Sequence, residues 1–199
     1  ADEVAAELAR EGLSVDILVN NAGVGTYGRF ASADLASETA MIQVNVVALT
    51  QLTRLLLPGM LQRGQGKILN VASTAAFQPG PLMSVYYATK AYVLSFSEAL
   101  ANELHGSGVS VTALCPGPVR TNFQQRAGIE HLRVFSGRIM EASTVARMGY
   151  RGLMLGRPVV VPGLKNVALM LAVRWFPRRL VTSVVRRLNE HRTPQGGRS

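Results

Sequence analysis

Apolar residues fall along this chain in two spacings. Nearly unbroken runs at Val15–Val19, Lys67–Val71, Val109–Leu114 and Val159–Val161 have the length and β-branched content of strands buried on both faces. Between them the apolar positions recur every three to four residues. Asp34–Gln62 carries Met41, Val44, Asn45, Ala48, Leu52 and Leu55 on one helical stripe, with Ser32 and Asp34 as starts. Ser84–Leu104 carries Val93, Phe96, Leu100 and Leu104. Ala142–Leu155, capped by Ser143, turns Val145, Met148, Leu153 and Met154 inward. Ala1–Arg10 is a further helix with Val4 and Leu8 on one side. Pro58 and Gly59 are expected to kink or interrupt the longest helix, and Gly64 and Gly66 to end it. Strands alternating with helices predict a parallel α/β sheet over residues 1–163. Residues 164–199 read as an amphipathic extension broken at Pro177, with a frayed tail from Thr193.

Composition narrows this picture. Hydrophobic residues make up 48% of the 199 and mean hydropathy is +0.18, which excludes a disordered chain. Cys115 is the single cysteine, so no disulfide framework forms within the chain, and a reducing compartment is expected. His105, His131 and His191 are too scattered for a metal site, and none is expected. No apolar run approaches the about 18 residues of a spanning helix. The acidic first turns do not read as a secretory signal. Of the net charge of +9, +7 lies after Gly163, where eight basic residues face Glu190 alone. The body is therefore close to neutral and no nucleic-acid partner is expected. The basic C-terminal segment, with Trp175 and Phe176, suits peripheral contact with an anionic membrane or, more plainly, packing over a pocket with its arginines in water.

Candidate chemistry centres on Ile68–Leu94. Ser73 closes an apolar run, where ligands of open α/β sheets gather. Tyr86 and Lys90 are four apart on the following helix, hence on one face. An ammonium beside a phenol favours the phenolate, and the tyrosine is expected to be a better proton donor near neutral pH for that reason. Asn20-Asn21-Ala22-Gly23 ends the first apolar run, Asn45 interrupts an apolar stripe, and Pro116-Gly117-Pro118-Val119-Arg120-Thr121 follows the third run. Gly23-Val24-Gly25-Thr26-Tyr27-Gly28 fits G-x-G-x-x-G but is not expected to be a dinucleotide fingerprint, because no helix opens at its third glycine.

These segments together resemble the short-chain dehydrogenase/reductase family, which uses a serine, a tyrosine thirteen residues later and a lysine four after that. The resemblance implies an α/β, Rossmann-like doubly wound parallel sheet, of which this chain holds strands four to seven. The family's T-G-x-x-x-G-x-G phosphate loop is not found, so the chain is expected to begin partway through the fold. The implied activity is interconversion of a small-molecule carbonyl and alcohol with NAD or NADP. By the same resemblance Asn45, Ser73, Tyr86 and Lys90 are catalytic. Asn20, Ala22 and Gly23 lie along the cofactor, with Asn20 supporting the sheet, and Tyr86 and Lys90 meet it too. Pro116, Gly117, Val119 and Thr121 pack on its nicotinamide, Val119 and Thr121 taking the carboxamide. A substrate lid is implied over residues 122–140 and a homo-oligomer through the two long helices. The apolar lid and extension suggest a lipid-, fatty-acyl- or steroid-like substrate, and the expected location is cytoplasmic, with membrane association through the basic C-terminal segment as the alternative. The rival reading is an inactive fragment or interaction module without the phosphate loop.

Overall fold

In the computed structural model, residues 1–129, 132 and 139–190 are described. Helix α1 (Asp2–Arg10) leads to strand β1 (Ile17–Asn20). A 3-10 turn, Phe30–Ser32, precedes α2 (Leu35–Ile42), whose first turn is capped by Asp34 accepting from the Ser37 N–H at 2.9 Å. A π-helical stretch, Gln43–Ala48, joins α2 to α3 (Leu49–Arg63) without a break. Then come β2 (Gly66–Val71), a 3-10 turn (Thr74–Phe77), α4 (Ser84–Glu103) and β3 (Val109–Leu114). The two-residue strand β4 (Val119–Arg120) and the short helix α5 (Phe123–Arg126) follow. Strand β5 (Met140–Glu141), α6 (Ala142–Met154), β6 (Val159–Val160), α7 (Leu164–Trp175) and α8 (Arg178–Asn189) complete the described chain.

All pairings are parallel, in the order β1-β2-β3-β6, with β4 and β5 forming a separate pair. This is the doubly wound α/β arrangement expected from the alternating spacings. Ile68, Leu69, Val111, Ala113 and Leu114 are buried between the helices that cover the sheet. Helix α6 approaches through glycine. A Cβ at Gly149 would lie 2.7 Å from Leu114 Cδ2, and one at Gly152 would lie 2.2 Å from Val160 Cγ2. Strand β1 has one neighbour among the described residues and leaves Val19 50% exposed. A strand with one free edge offers unpaired backbone groups to any further strand.

Several local expectations change. The long helix is not interrupted at Pro58 but runs to Arg63 and ends at Gly64, which takes φ +62°. Pro58 sits on the exposed side, where the Arg54 carbonyl that loses its partner can be hydrated. The buried line on this helix is Met41, Asn45, Leu49, Thr53 and Met60, while Leu55 is exposed. Every-fourth residues drift around an α-helix, and the wider π turn takes up that drift. By length and composition Leu35–Arg63 could cross a membrane, its best stretch having mean hydropathy 1.4. Here it packs on the sheet through that buried line. On α6, Met148 and Met154 point outward, and the buried positions are Val145, Gly149, Gly152 and Leu153. Its N-cap is Glu141 rather than Ser143, which lies inside the first turn. Within the lid stretch, residues 130, 131 and 133–138 lie outside the described residues, as does the tail from 191 on.

One buried polar chain runs across the sheet. The Asn20 amide donates to Thr53 Oγ1 at 3.1 Å and to Asn70 Oδ1 at 2.8 Å. Asn70 donates to Ser97 Oγ at 2.9 Å, and Ser97 to the Val93 carbonyl. It fixes β1, β2, α3 and α4 in register, which holds the α4 side chains against the end of β2.

Candidate functional site

The site lies at the carboxyl ends of β1, β2 and β3. Ser73 follows β2 in extended backbone and caps the Thr74–Phe77 turn, accepting from the Ala75 N–H at 3.1 Å. In the first turn of α4, Tyr86 comes close enough to Ser73 for the hydroxyl to favour its ionised form. Lys90, one turn further, has its Nζ 5.8 Å from the centre of the Tyr86 ring and donates to the Val71 carbonyl at 2.8 Å. Asn45 comes from the π stretch. Its Oδ1 accepts from the Val24 N–H at 2.9 Å, and its Nδ2 donates to the Val24 carbonyl and to Thr89 Oγ1. Thr89 in turn donates to the Tyr86 carbonyl at 2.7 Å. The π turn, a form frequent at functional sites, thus aims one amide at both the N-N-A-G turn and α4. A Cβ on Gly23 would lie 3.4 Å from Lys90 Nζ and 3.5 Å from Asn45 Oδ1. All four catalytic candidates and Gly23 therefore converge on one cradle.

The remaining candidates divide. Asn20 is turned into the core and acts as scaffold, not as a wall of the cradle, because its amide is used by Thr53 and Asn70. Ala22 is exposed at the turn. The Pro116 carbonyl accepts from the Thr74 N–H at 2.8 Å. Gly117 lies under Asn166 of α7, where a Cβ would come within 2.6 Å of the amide nitrogen. Val119 and Thr121 meet through a residue that sequence reasoning missed. Gln124 Nε2 donates to the Val119 carbonyl, and Gln124 Oε1 accepts from Thr121 N at 3.2 Å and from Thr121 Oγ1 at 3.3 Å. This acceptor-plus-donors set fits a primary carboxamide, which is also the group carried by nicotinamide. Phe123 was missed too. Its ring centre is 5.4 Å from that of Tyr86, and a Cβ on Gly25 would strike it at 2.8 Å. Nothing in the spacing of Thr121–Arg126 marked either residue. Tyr87, left without a role by sequence, packs on Gly80 and meets Asn189, the last residue of α8. The Asn189 amide also donates to the Pro81 carbonyl at 3.0 Å, so the C-terminal helix is latched to the loop entering α4.

The electrostatics depart from the expectation that Lys90 depresses the tyrosine. Burial pushes the Tyr86 phenol up to about 12, a shift that the Ser73 hydroxyl opposes and nearby Tyr87 adds to. Desolvation outweighs any help from the ammonium, and the phenol is held protonated at neutral pH. Burial also lowers Lys90 to about 8, against a small opposing pull from Cys115. Cys115 is pushed up to about 12 by burial first and Glu98 second, so it is a neutral thiol. Between about pH 8 and the ordinary lysine value of 10.5, the unfolded chain binds the proton that the folded chain has lost. Lys90 therefore contributes stability that rises with pH across that window, opposed above about pH 9 by the raised Cys115 thiol and above about pH 10 by the raised Tyr86 phenol. Lys90→Met should remove that contribution, a parent-minus-variant difference on the order of 3 kcal/mol between the two ends of the window. Thermal denaturation of parent and variant side by side at both ends of the window checks this.

Comparison with known proteins identifies the family. The family model described as short chain dehydrogenase matches residues 1–131. The ketoacyl reductase HetN of Nostoc sp. (strain PCC 7120) is 43% identical over 105 residues, covering 53% of this chain and 37% of its own. The NADP-dependent 3-hydroxy acid dehydrogenase YdfG of Escherichia coli (strain K12) is 43% identical over 119 residues, covering 59% of this chain and 48% of its own. The chain thus spans about half or less of the length of these curated relatives. A short-chain dehydrogenase from Sphingobium yanoikuyae, in complex with NADPH, superposes with a TM-score of 0.76 at 33% identity. That match covers 98% of this chain and 73% of the other. With the family model matching well over half of its residues and the same fold in a solved relative, this chain belongs to the short chain dehydrogenase family.

Proposed function

We propose that this chain carries the proton-transfer site of an oxidoreductase that interconverts a carbonyl and an alcohol with NAD or NADP. The observation that carries the reading is the buried Tyr86 phenol, with Ser73 close enough to favour its ionised form and Lys90 Nζ 5.8 Å from the centre of the same ring. A protonated phenol suits donation to a carbonyl oxygen, and Ser73 offers that oxygen a second hydrogen bond. Lys90 keeps donors free beyond the one used on Val71, and with Gly23 it shapes a cradle suited to ribose hydroxyls. Asn45 links the cradle to Thr89 and α4. The nicotinamide, when bound, supplies or takes the hydride. Val119 and Thr121 would hold its carboxamide, since the amide of Gln124 already matches them. The NADPH-bound relative from Sphingobium yanoikuyae and the NADP-dependent one from Escherichia coli support this cofactor class.

Tyr86 packs against a buried apolar cluster of Met83, Ala127, Ile129 and Leu132 with Phe123 partly buried beside it, and this apolar surrounding of the phenol supports a hydrophobic acyl-like substrate. So do the ketoacyl and hydroxy acid substrates in the relatives' names. Exposed apolar residues on the long helices, among them Ile42, Leu55, Leu61 and Tyr92, support a homo-oligomer, which size-exclusion chromatography tests. Turnover of a 3-oxoacyl thioester with NADPH, followed by loss of NADPH absorbance, tests the reaction. Persistent absence of turnover with both cofactors favours an interaction module instead.

Gln124 makes a separate prediction. Because its amide fills the carboxamide position, a bound cofactor has to displace it. Gln124→Ala should tighten NADPH binding about threefold to tenfold. Weaker binding would mean that Gln124 helps to hold the cofactor.

A further inference from the structure

The C-terminal helices present a surface that the catalytic reading leaves unused. Leu164, Ala168, Leu171 and Trp175 of α7 follow the i, i+4, i+7, i+11 spacing that places them on one face. That face points outward, with Leu164 89% and Trp175 87% exposed, and no residue of α7 is fully buried. Phe176 continues it, and Leu180 and Val184 of α8 are half exposed. Lys165 and Arg174 flank the stripe on α7 itself by helical geometry. Arg178, Arg179, Arg186 and Arg187 follow on α8, all exposed. Across residues 164–190 the one acid is Glu190, and Arg186 pairs with it at 2.8 Å. The latch from Asn189 to Pro81 anchors the far end of this unit beside the site.

We propose that this face rests on an anionic lipid bilayer. An outward apolar stripe with a tryptophan, flanked by exposed basic residues, matches the interfacial amphipathic helix. Its apolar side enters the acyl boundary and its cations meet lipid headgroups. A second copy of the chain fits less well, because a two-fold contact sets the same basic clusters against each other. The inference is independent of the proposed reaction.

Trp175 is the only tryptophan in the chain, so its emission reports this face directly. With the full chain, vesicles of equal parts phosphatidylglycerol and phosphatidylcholine should shift Trp175 emission to the blue and pellet the protein. Added salt should reverse both. Arg178→Glu/Arg179→Glu should weaken binding at least about tenfold, and Leu164→Glu, at a site almost fully in water, should weaken it too with an unchanged circular dichroism spectrum. Unchanged emission and no pelleting with these vesicles would overturn the proposal. So would equal binding to pure phosphatidylcholine. A blue shift that grows with protein concentration without lipid would overturn it as well, assigning the face to a second copy.

Discussion

Tyr86→Phe should abolish carbonyl turnover, by about a hundredfold to ten-thousandfold, while leaving the fold intact. The phenol is buried in the core of the site, close to Ser73 and edge-on to Tyr87 at 6.1 Å between ring centres. The substitution removes one oxygen and keeps the ring that packs on Phe123. The lost atom is the one from which a proton reaches the substrate oxygen, and neither neighbour replaces it. Tyr87 is committed to Gly80 and Asn189. Steady-state rates with parent and variant, at matched unfolding midpoints, check the prediction. A variant running near the parental rate would remove Tyr86 from the chemistry.

The second large effect is on stability. Asn70→Ala should cost on the order of 3 kcal/mol in urea unfolding of the full chain. Asn70 is fully buried, accepting from Asn20 and donating to Ser97. Truncation leaves an Asn20 N–H without that partner and opens a gap between β2 and α4, and each term is worth about 1–3 kcal/mol. Because the chain of bonds is shared, Asn70→Ala and Ser97→Ala should be less than additive. Simple additivity would show that the two residues act separately. Loss at Asn70 should also disturb Tyr86 and Lys90, since the network fixes α4 against the strand that ends at Ser73.

The strands and the spacing of Ser73, Tyr86 and Lys90 were legible because each is a local pattern. Apolar runs bounded by glycine and proline set β2 and β3 to within a residue. The helical spacings were legible as well, but not which residues face inward. The π stretch around Asn45 rotates the inner line, and no residue type announces it. On α6 the inward positions are glycines, chosen by close approach to Leu114 and Val160, and a search for apolar side chains passes over them. Asn70 had a signal of its own: a polar residue inside I-L-N-V cannot lie buried without partners. Gln124 and Phe123 had none. They reach the site through the turn after Thr121, a tertiary contact between side chains with no periodic trace. The raised phenol of Tyr86 was misjudged for a related reason, since adjacency to Lys90 is written in the sequence and burial is not.

The most direct test of the whole account is a fluorescence titration of NADPH, and of NADH, with the full chain. Gly23, Asn45 and Lys90 forming a cofactor cradle predicts saturable binding with altered nicotinamide emission, weakened in Lys90→Met and tightened in Gln124→Ala. No saturable binding of either dinucleotide, with parent and variants alike, would contradict it.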